Sequence, residues 1–464
     1  MASSRTFTGL LAATAVGVYL LVIAGATASI TDAVAACTTW PLCEGPVTLA
    51  DLDLQIARAH RLVAAVVGVL ALATVGLSVR VAERRRVTAA LAAGVALYPA
   101  QIALGAFVAT TGGAGHLPAA HLAAGMAIFG AFVVALAWHL EHETGSTDET
   151  VVSDPSPAPM PDDGADDAPT PSLSTRERAV ATAFAYFRLT KPRLMWLLCL
   201  VAAAGMALKA GPSLTVRTIL LTMGGGVLAI GASGTFNHVL ERDIDKRMDR
   251  TSDRPIATHE IPVRNAVAFG LTLAVAALAL FWQVNLLAAL LGLTAILFYS
   301  VVYTLLLKPN TVQNTVIGGA AGALPALIGW AAVEGTIDLP GLVLAAVIFL
   351  WTPAHFYNLA LAYRDDYEAG GFPMMPVVRG ETETRKHIVY YLGATLVAAV
   401  ALAALTSLGW LYALTSTALG AVFLWAVVRL HREQTEAAAF RAFHASNAYL
   451  GLLLVAIVVD ALAL

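Results

Sequence analysis

Stretches of roughly twenty apolar residues, each bounded by a short polar loop, recur along almost the whole of this chain. Twenty residues at 1.5 Å per residue cross about 30 Å of hydrocarbon as helix. Of 464 residues 58% are apolar and only 13% charged, against about a quarter charged in an ordinary soluble protein. A bilayer satisfies no backbone group, so the stretches read as helices rather than open strands, and they lack a barrel's alternation. The expected spans are 8–30, 60–80, 87–109, 118–139, 193–208, 216–236, 265–282, 284–304, 312–332, 340–362, 388–406, 409–429 and 446–464. The fold class is therefore an all-α polytopic membrane protein of about thirteen crossings, with no nucleic-acid partner expected.

The net charge of −3 is less informative than its distribution. With the N-terminus cytoplasmic, Arg80, Arg84, Arg85 and Arg86 fall inside, as do Arg242, Lys246, Arg247, Arg250 and Arg254. Lys308, Arg364, Arg379, Arg429 and Arg432 follow them, while the intervening loops are nearly free of Lys and Arg. That asymmetry is the positive-inside pattern and predicts a multi-pass cell-membrane protein. Residues 8–30 are long for a signal-peptide core and show no clear cleavage site, so the first span is expected to stay.

Residues 1–142 carry four spans and 181–464 about nine, and between them 143–180 are rich in Pro, Asp, Ser and Thr. Such a composition buries too little apolar surface to offset ordering entropy, so it reads as a disordered acidic tether without a catalytic group. Cys199 lies alone in an apolar span and reads as packing. Cys37 and Cys43 share an external loop, as a disulfide or as two unpaired small residues.

The chemistry concentrates in two loops on the expected cytoplasmic side. In "NHVLERDIDKRMDRTSDRP" Asn237, Glu241 and Asp245 are spaced four apart, so one helix face presents three oxygen ligands. A hard octahedral cation shared with substrate phosphates, Mg²⁺, suits that set. Arg250 and Arg254 follow as guanidinium forks that match phosphate oxygens. The second loop, "YRDDYEAGGFPMMP", carries Asp365 and Asp366 beside Tyr363, Arg364 and Tyr367. Two acidic sites at one mouth can bracket a diphosphate and neutralise the charge that grows on a departing allylic group. Solvated loop charge is the plain alternative for either loop alone; finding both on one side of so charge-poor a chain argues against it.

The stretch 186–464 resembles the intramembrane aromatic prenyltransferase superfamily, and within it the haem O synthases (protohaem IX farnesyltransferases). The matching segments are "LTKPR" (189–193), the first acidic loop, "YTLLLKPNTVQNTVIGGAAGALPALIGWAAV" (303–333) and "WTPAHFYNLALAYRDDYEAGGFPMMPVV" (351–378). Glu241 stands where the superfamily's NxxxDxxxD pattern has its first Asp, one methylene longer with its charge kept. The resemblance implies a bundle of about nine helices that joins the farnesyl group of farnesyl diphosphate to a vinyl group of haem B. Water then adds to give haem O for respiratory terminal oxidases. In those roles Asn237, Glu241, Asp245, Asp365 and Asp366 would hold Mg²⁺ and diphosphate, Asp366 among the metal ligands. Lys191, Arg193, Arg250, Arg254 and Lys308 would bind phosphate oxygens. His355 in "WTPAHFY" would contact haem, or else hydrogen-bond between helices; Pro325 and Pro353 read as helix bends. Haem A synthase and oxidase-assembly proteins become candidate partners.

His60 and His121 fall at the external ends of their spans, where facing imidazoles can hold haem iron; His116, His139 and His142 are less well placed. Idle interfacial histidines are the alternative. Residues 7–139 resemble one four-helix half of the haem A synthases through "CTTWPLCEG", "AHRLVAAVVG", "QIALGAFVATTGG" and "HLAAGMA". That resemblance implies a Cys37–Cys43 disulfide and haem between His60 and His121. The catalytic glutamate that those enzymes carry three residues before the first ligand is Ala57 here, so this module is expected to bind haem without oxidising it. Two other readings stand beside the main one. One is a prenyltransferase for a quinone precursor or another lipid; the other is a non-enzymatic haem-binding carrier, which has no use for the acidic loops.

Overall fold

A computed structural model describes residues 4–29, 36–44, 51–111, 115–146, 149–160 and 174–463. Every element among them is helical, and thirteen helices are long and apolar enough to cross a membrane. They run several residues past the hydropathy limits at many ends. The second starts at Leu52 and the last at Glu436, because polar residues such as Arg58 and Arg441 continue a helix that an apolar window cuts short.

The chain forms two compact units. One holds α1 (Ser4–Ala28), α2 (Leu52–Arg80), α3 (Arg85–Thr111) and α4 (Leu117–Thr144), with α15 (Glu381–Leu405), α16 (Trp410–Glu433), α17 (Glu436–Ala463) and the segment 353–358. The other holds α5 (Thr175–Leu189), α6 (Pro192–Ala210), α7 (Val216–Leu240), α8 (Arg242–Asp245), α9 (Val263–Val284), α10 (Leu286–Leu297) and α11 (Asn314–Glu334). To it also belong most of α12 (Leu339–Ala362), α13 (Arg364–Ala369) and α14 (Met375–Val378). The compact units thus do not follow the sequence division at 143–180.

In the first unit α1 and α4 are joined by His139, whose Nε2 lies 2.9 Å from Thr8 Oγ1 and whose Nδ1 lies 2.8 Å from Glu83. Tyr19 of α1 bonds Ser416 of α16. Cys37 and Cys43 are joined by a disulfide. In the second unit α6 and α11 touch backbone to backbone. A Cβ on Gly329 would stand 2.1 Å from Ala202 O and one on Gly205 2.5 Å from Ala326 O, the small-residue contact by which membrane helices pack closely. Thr215 caps α7 and Asn285 caps α10 through its bond to Ala288 N.

Two features depart from a disordered tether over 143–180. Helix α5 begins inside it with a capping box between Ser174 and Glu177. Its inner face, Ala185 and Leu189, packs on Ile256, Ile261 and Ala266, while Val180, Phe184 and Phe187 stay exposed, an arrangement suited to the membrane interface. Residues 149–160 form no helix but are bonded to the loop of 364–380: Val152 N donates to Val377 O at 3.0 Å and Ala158 N to Ala369 O at 2.8 Å. The rest of the tether, 161–173, lies outside the described residues.

Candidate active site

Helix α7 ends at Leu240, yet the ladder it begins continues through the break. Glu241 N donates to Asn237 O at 2.9 Å and Asp245 N to Glu241 O at 2.8 Å, so the i, i+4, i+8 residues keep one face across α8. Their exposures are 2%, 3% and 1%. Buried carboxylates need partners, and each step of the ladder has a cation. Lys191 donates to Asn237 Oδ1. Lys308 donates to Glu241 at 2.6 Å. Arg254 reaches both oxygens of Asp245 at 2.8 and 2.9 Å and stands 3.7 Å from Glu241.

Lys191 precedes α6 with φ of 52°, a left-handed conformation that an ordinary residue adopts only under surrounding constraint. Around it the helix after α10 widens to a π-helix over Phe298–Leu307. There Thr304 Oγ1 donates to Tyr299 O five residues back and accepts from Asn237 Nδ2, while Tyr299 Oη accepts from Lys191 at 3.3 Å. Such widened turns concentrate at functional sites. Tyr299, Thr304 and Phe372, whose ring lies 4.2 Å from Lys308 Nζ, are site residues that the motif reading missed. The Tyr299, Tyr303 and Lys308 succession was the available signal.

The second acidic loop joins this cluster through Asp366. Its carboxylate accepts the backbone N–H groups of Asp249 and Arg250, both at 3.2 Å. Arg250 in turn donates to Tyr367 Oη at 3.2 Å and lies over the rings of Tyr363 and Tyr367. Asp366 thus fastens the two loops together. Asp365 is 96% exposed and pairs with Arg364. Arg193 is exposed on α6, with no hydrogen bond or ion pair among the described residues to the cluster.

Positive charge is crowded here. Burial, with Arg254 and Lys308 close by, pulls the Lys191 ammonium down to about 7. Burial would raise the Glu241 carboxyl, but Lys308, Lys191 and Arg254 hold it below the usual range. At Asp245 burial prevails over Arg254 and the carboxyl is pushed up. Cations crowded around one buried ammonium favour an incoming polyanion.

Among the described residues no three His, Cys, Asp or Glu groups converge to hold an ion by themselves. A Mg²⁺ ion takes one or two carboxylates and completes its shell with water and substrate phosphates. The hard oxygens of Asn237, Glu241 and Asp245 fit that demand. Below Lys191 and Tyr299 opens a cavity. Leu198, Gly226, Ile230, Phe281 and Pro325 line it with mostly apolar neighbours, Cys199 among them. Pro325 and Cys199, read as a bend and as packing, both meet this space.

His60 and His121 are electrostatic neighbours in the first unit. The Nδ1 atom of each is buried without a hydrogen-bond partner. A glycine faces each ring: a Cβ on Gly25 would stand 3.3 Å from His60 Cε1 and one on Gly105 3.0 Å from His121 Cε1. The rings pack directly against these glycines, and the Nε2 of His121 lies 3.5 Å from Gln101 Nε2; two neighbouring imidazoles with a free Nδ1 each fit the expected ligand pair. His355 is engaged by Ser446 Oγ at 2.6 Å and stacked on Phe443, the interhelical bond set beside haem contact as its alternative.

Comparison with known proteins places this geometry. Residues 197–452 match the UbiA prenyltransferase family. The chain is 75% identical over its full length to the full length of the protoheme IX farnesyltransferase of Haloarcula marismortui. It is 44% identical to protoheme IX farnesyltransferase 1 of Saccharopolyspora erythraea over 62% of this chain and 93% of that one. A solved structure of digeranylgeranylglyceryl phosphate synthase superposes with a TM-score of 0.52 at 16% identity, covering 61% of this chain and 100% of that one, and so shares the fold. The chain belongs to the UbiA prenyltransferase family and, within it, to the protohaem IX farnesyltransferases.

Proposed function

We propose that this enzyme transfers the farnesyl group of farnesyl diphosphate to a vinyl group of haem B, with addition of water, to give haem O and diphosphate. The observation that carries the reading is a buried cluster of paired cations and carboxylates set at the mouth of an apolar cavity. A prenyl diphosphate has that polarity, with a charged head and a long apolar tail.

Lys191, Lys308, Arg250 and Arg254 bind the diphosphate oxygens, exchanging Asn237, Glu241, Tyr367 and Asp245 for phosphate; Arg193 completes the expected set from the surface. Asn237, Glu241 and Asp245 hold Mg²⁺, with Asp365 and Asp366 in the second loop. The ion, when bound, withdraws charge from the leaving diphosphate. As the allylic C–O bond breaks, its electron pair leaves on the diphosphate, where these fixed cations stabilise it without reorganising. The apolar walls at Leu198, Ile230 and Phe281 keep water from the allylic cation. The vinyl π electrons then form the new C–C bond, and water adds to the resulting cation with loss of a proton.

The first acidic loop and its partner face the cytoplasm in this reading, and 181–464 is the catalytic domain. Supporting it, the Saccharopolyspora relative matches less than two-thirds of this chain over nearly its own full length. Residues 1–142 bind haem through His60 and His121 and, with Ala57 in place of a carboxylate, hold or hand on haem without oxidising it. Haem A synthase and oxidase-assembly proteins are the fitting partners. A competition assay tests the assignment: membranes offered haem B together with a hydroxylated quinone precursor and labelled farnesyl diphosphate should place the label on haem. Label on the quinone precursor would replace this reading with its lipid alternative.

A further inference from the structure

Residues 149–160 contain Pro155, Pro157 and Pro159, whose fixed φ favours the polyproline II helix of three residues per turn. The burial pattern has that period. Val152, Pro155 and Ala158 are half-buried, and most of the residues between them are exposed. Val152 and Ala158 also donate the two bonds to the 364–380 loop. The segment runs antiparallel to that loop, from Val377 back to Ala369, and Arg364 Nη2 donates to Thr150 O at 2.9 Å. Gly371 has φ of 70°, and a Cβ there would stand 2.7 Å from the Pro157 ring. The contact therefore admits only glycine, for both backbone and space.

The residues that this segment brackets are those that reach the diphosphate cluster. Asp366 holds the N–H groups of Asp249 and Arg250, Tyr367 accepts from Arg250, and Phe372 lies against Lys308. We infer that residues 149–160 are a positioning strap for the diphosphate site, holding the second acidic loop so that Arg250 and Lys308 stand where the substrate's head binds. This rests on the proposed prenyl transfer. It departs from the expectation that the tether is an inert spacer. A preformed polyproline helix loses little entropy on docking, so two backbone bonds suffice to seat it.

Proline substitution separates the donors from the shape. In the full-length chain Val152→Pro and Ala158→Pro each remove one donated N–H while keeping the extended conformation. Ser156→Pro, at an exposed position, removes neither donor and serves as control. The double variant should lower kcat/KM for farnesyl diphosphate about tenfold, equivalent to about 1.4 kcal/mol, with the haem KM unchanged and the control like wild type. Amide exchange of residues 364–380 should quicken in the double variant alone. An unchanged kcat/KM for farnesyl diphosphate, or an equal loss in the Ser156→Pro control, would overturn the strap. If the wild-type chain farnesylates nothing, the reaction reading fails and amide exchange alone decides: equal exchange in wild type and double variant refutes the strap.

Discussion

Gly226 lies about 12 Å along α7 from Gly234, eight residues at 1.5 Å each, and both line the cavity below Lys191. A Cβ built on Gly226 meets no atom within 4 Å. A side chain there enters the cavity rather than a packed interface, and a leucine improves on the helix propensity of glycine by up to about 1 kcal/mol. Gly226→Leu should therefore fold and insert while closing the deep part of the space. If the farnesyl tail occupies that space, its last isoprene unit loses its burial. At about 0.8 kcal/mol for each of about five carbons, the loss is up to about 4 kcal/mol. The kcat/KM for farnesyl diphosphate should fall by a factor of about a hundred to a thousand, while geranyl diphosphate, one unit shorter, is spared or improved. The assay is product mass from membranes given haem B and an equal mixture of the two diphosphates. An unchanged preference for farnesyl in well-expressed Gly226→Leu would refute the placement of the tail.

Other consequences can be read just as directly. Asp245→Ala removes the partner of Arg254 and one oxygen of the metal set, and should lower turnover at least about a hundredfold; Asp366→Ala should do likewise by releasing the Asp249–Arg250 backbone. Near-normal rates in either inserted variant would contradict the assignment. Chelation of divalent metal should abolish farnesylation and Mg²⁺ should restore it, whereas a persistent rate in chelator would remove the metal from the account. The full chain should show a six-coordinate haem spectrum that His60→Ala or His121→Ala abolishes; a spectrum unchanged in both folded variants would exclude haem binding there.

The spans were legible because apolar length is a local property, and the ladder because a spacing of four survives the end of α7 at Leu240. Tyr299 and Thr304 were not. The π-helical turn pairs residues five apart, so a 3.6-residue wheel misplaces them. The role of Asp366 was hidden by its chemistry, since a carboxylate that serves phosphate metal sites also caps backbone N–H groups. The company of α15, α16 and α17 with the first four helices depends on which apolar faces meet, and periodicity leaves that open. Residues 149–160 read as disorder because composition weighs apolar burial; proline stiffness and hydrogen bonds to the 364–380 loop hold them instead. The helix at 175–189 has a readable start in Ser174 and Glu177, but at 15 residues it is too short to register as a membrane span.

The central claim is that a haem vinyl group receives the farnesyl carbon and water completes the addition. Membranes carrying the full chain, given haem B, farnesyl diphosphate and Mg²⁺ in ¹⁸O-labelled water, test it in one mass spectrum of the extracted haem. The account predicts a haem heavier by one farnesyl group and one labelled hydroxyl, formed with release of diphosphate and absent in Asp245→Ala. Haem recovered unchanged, or a farnesylated haem without the label, would contradict it.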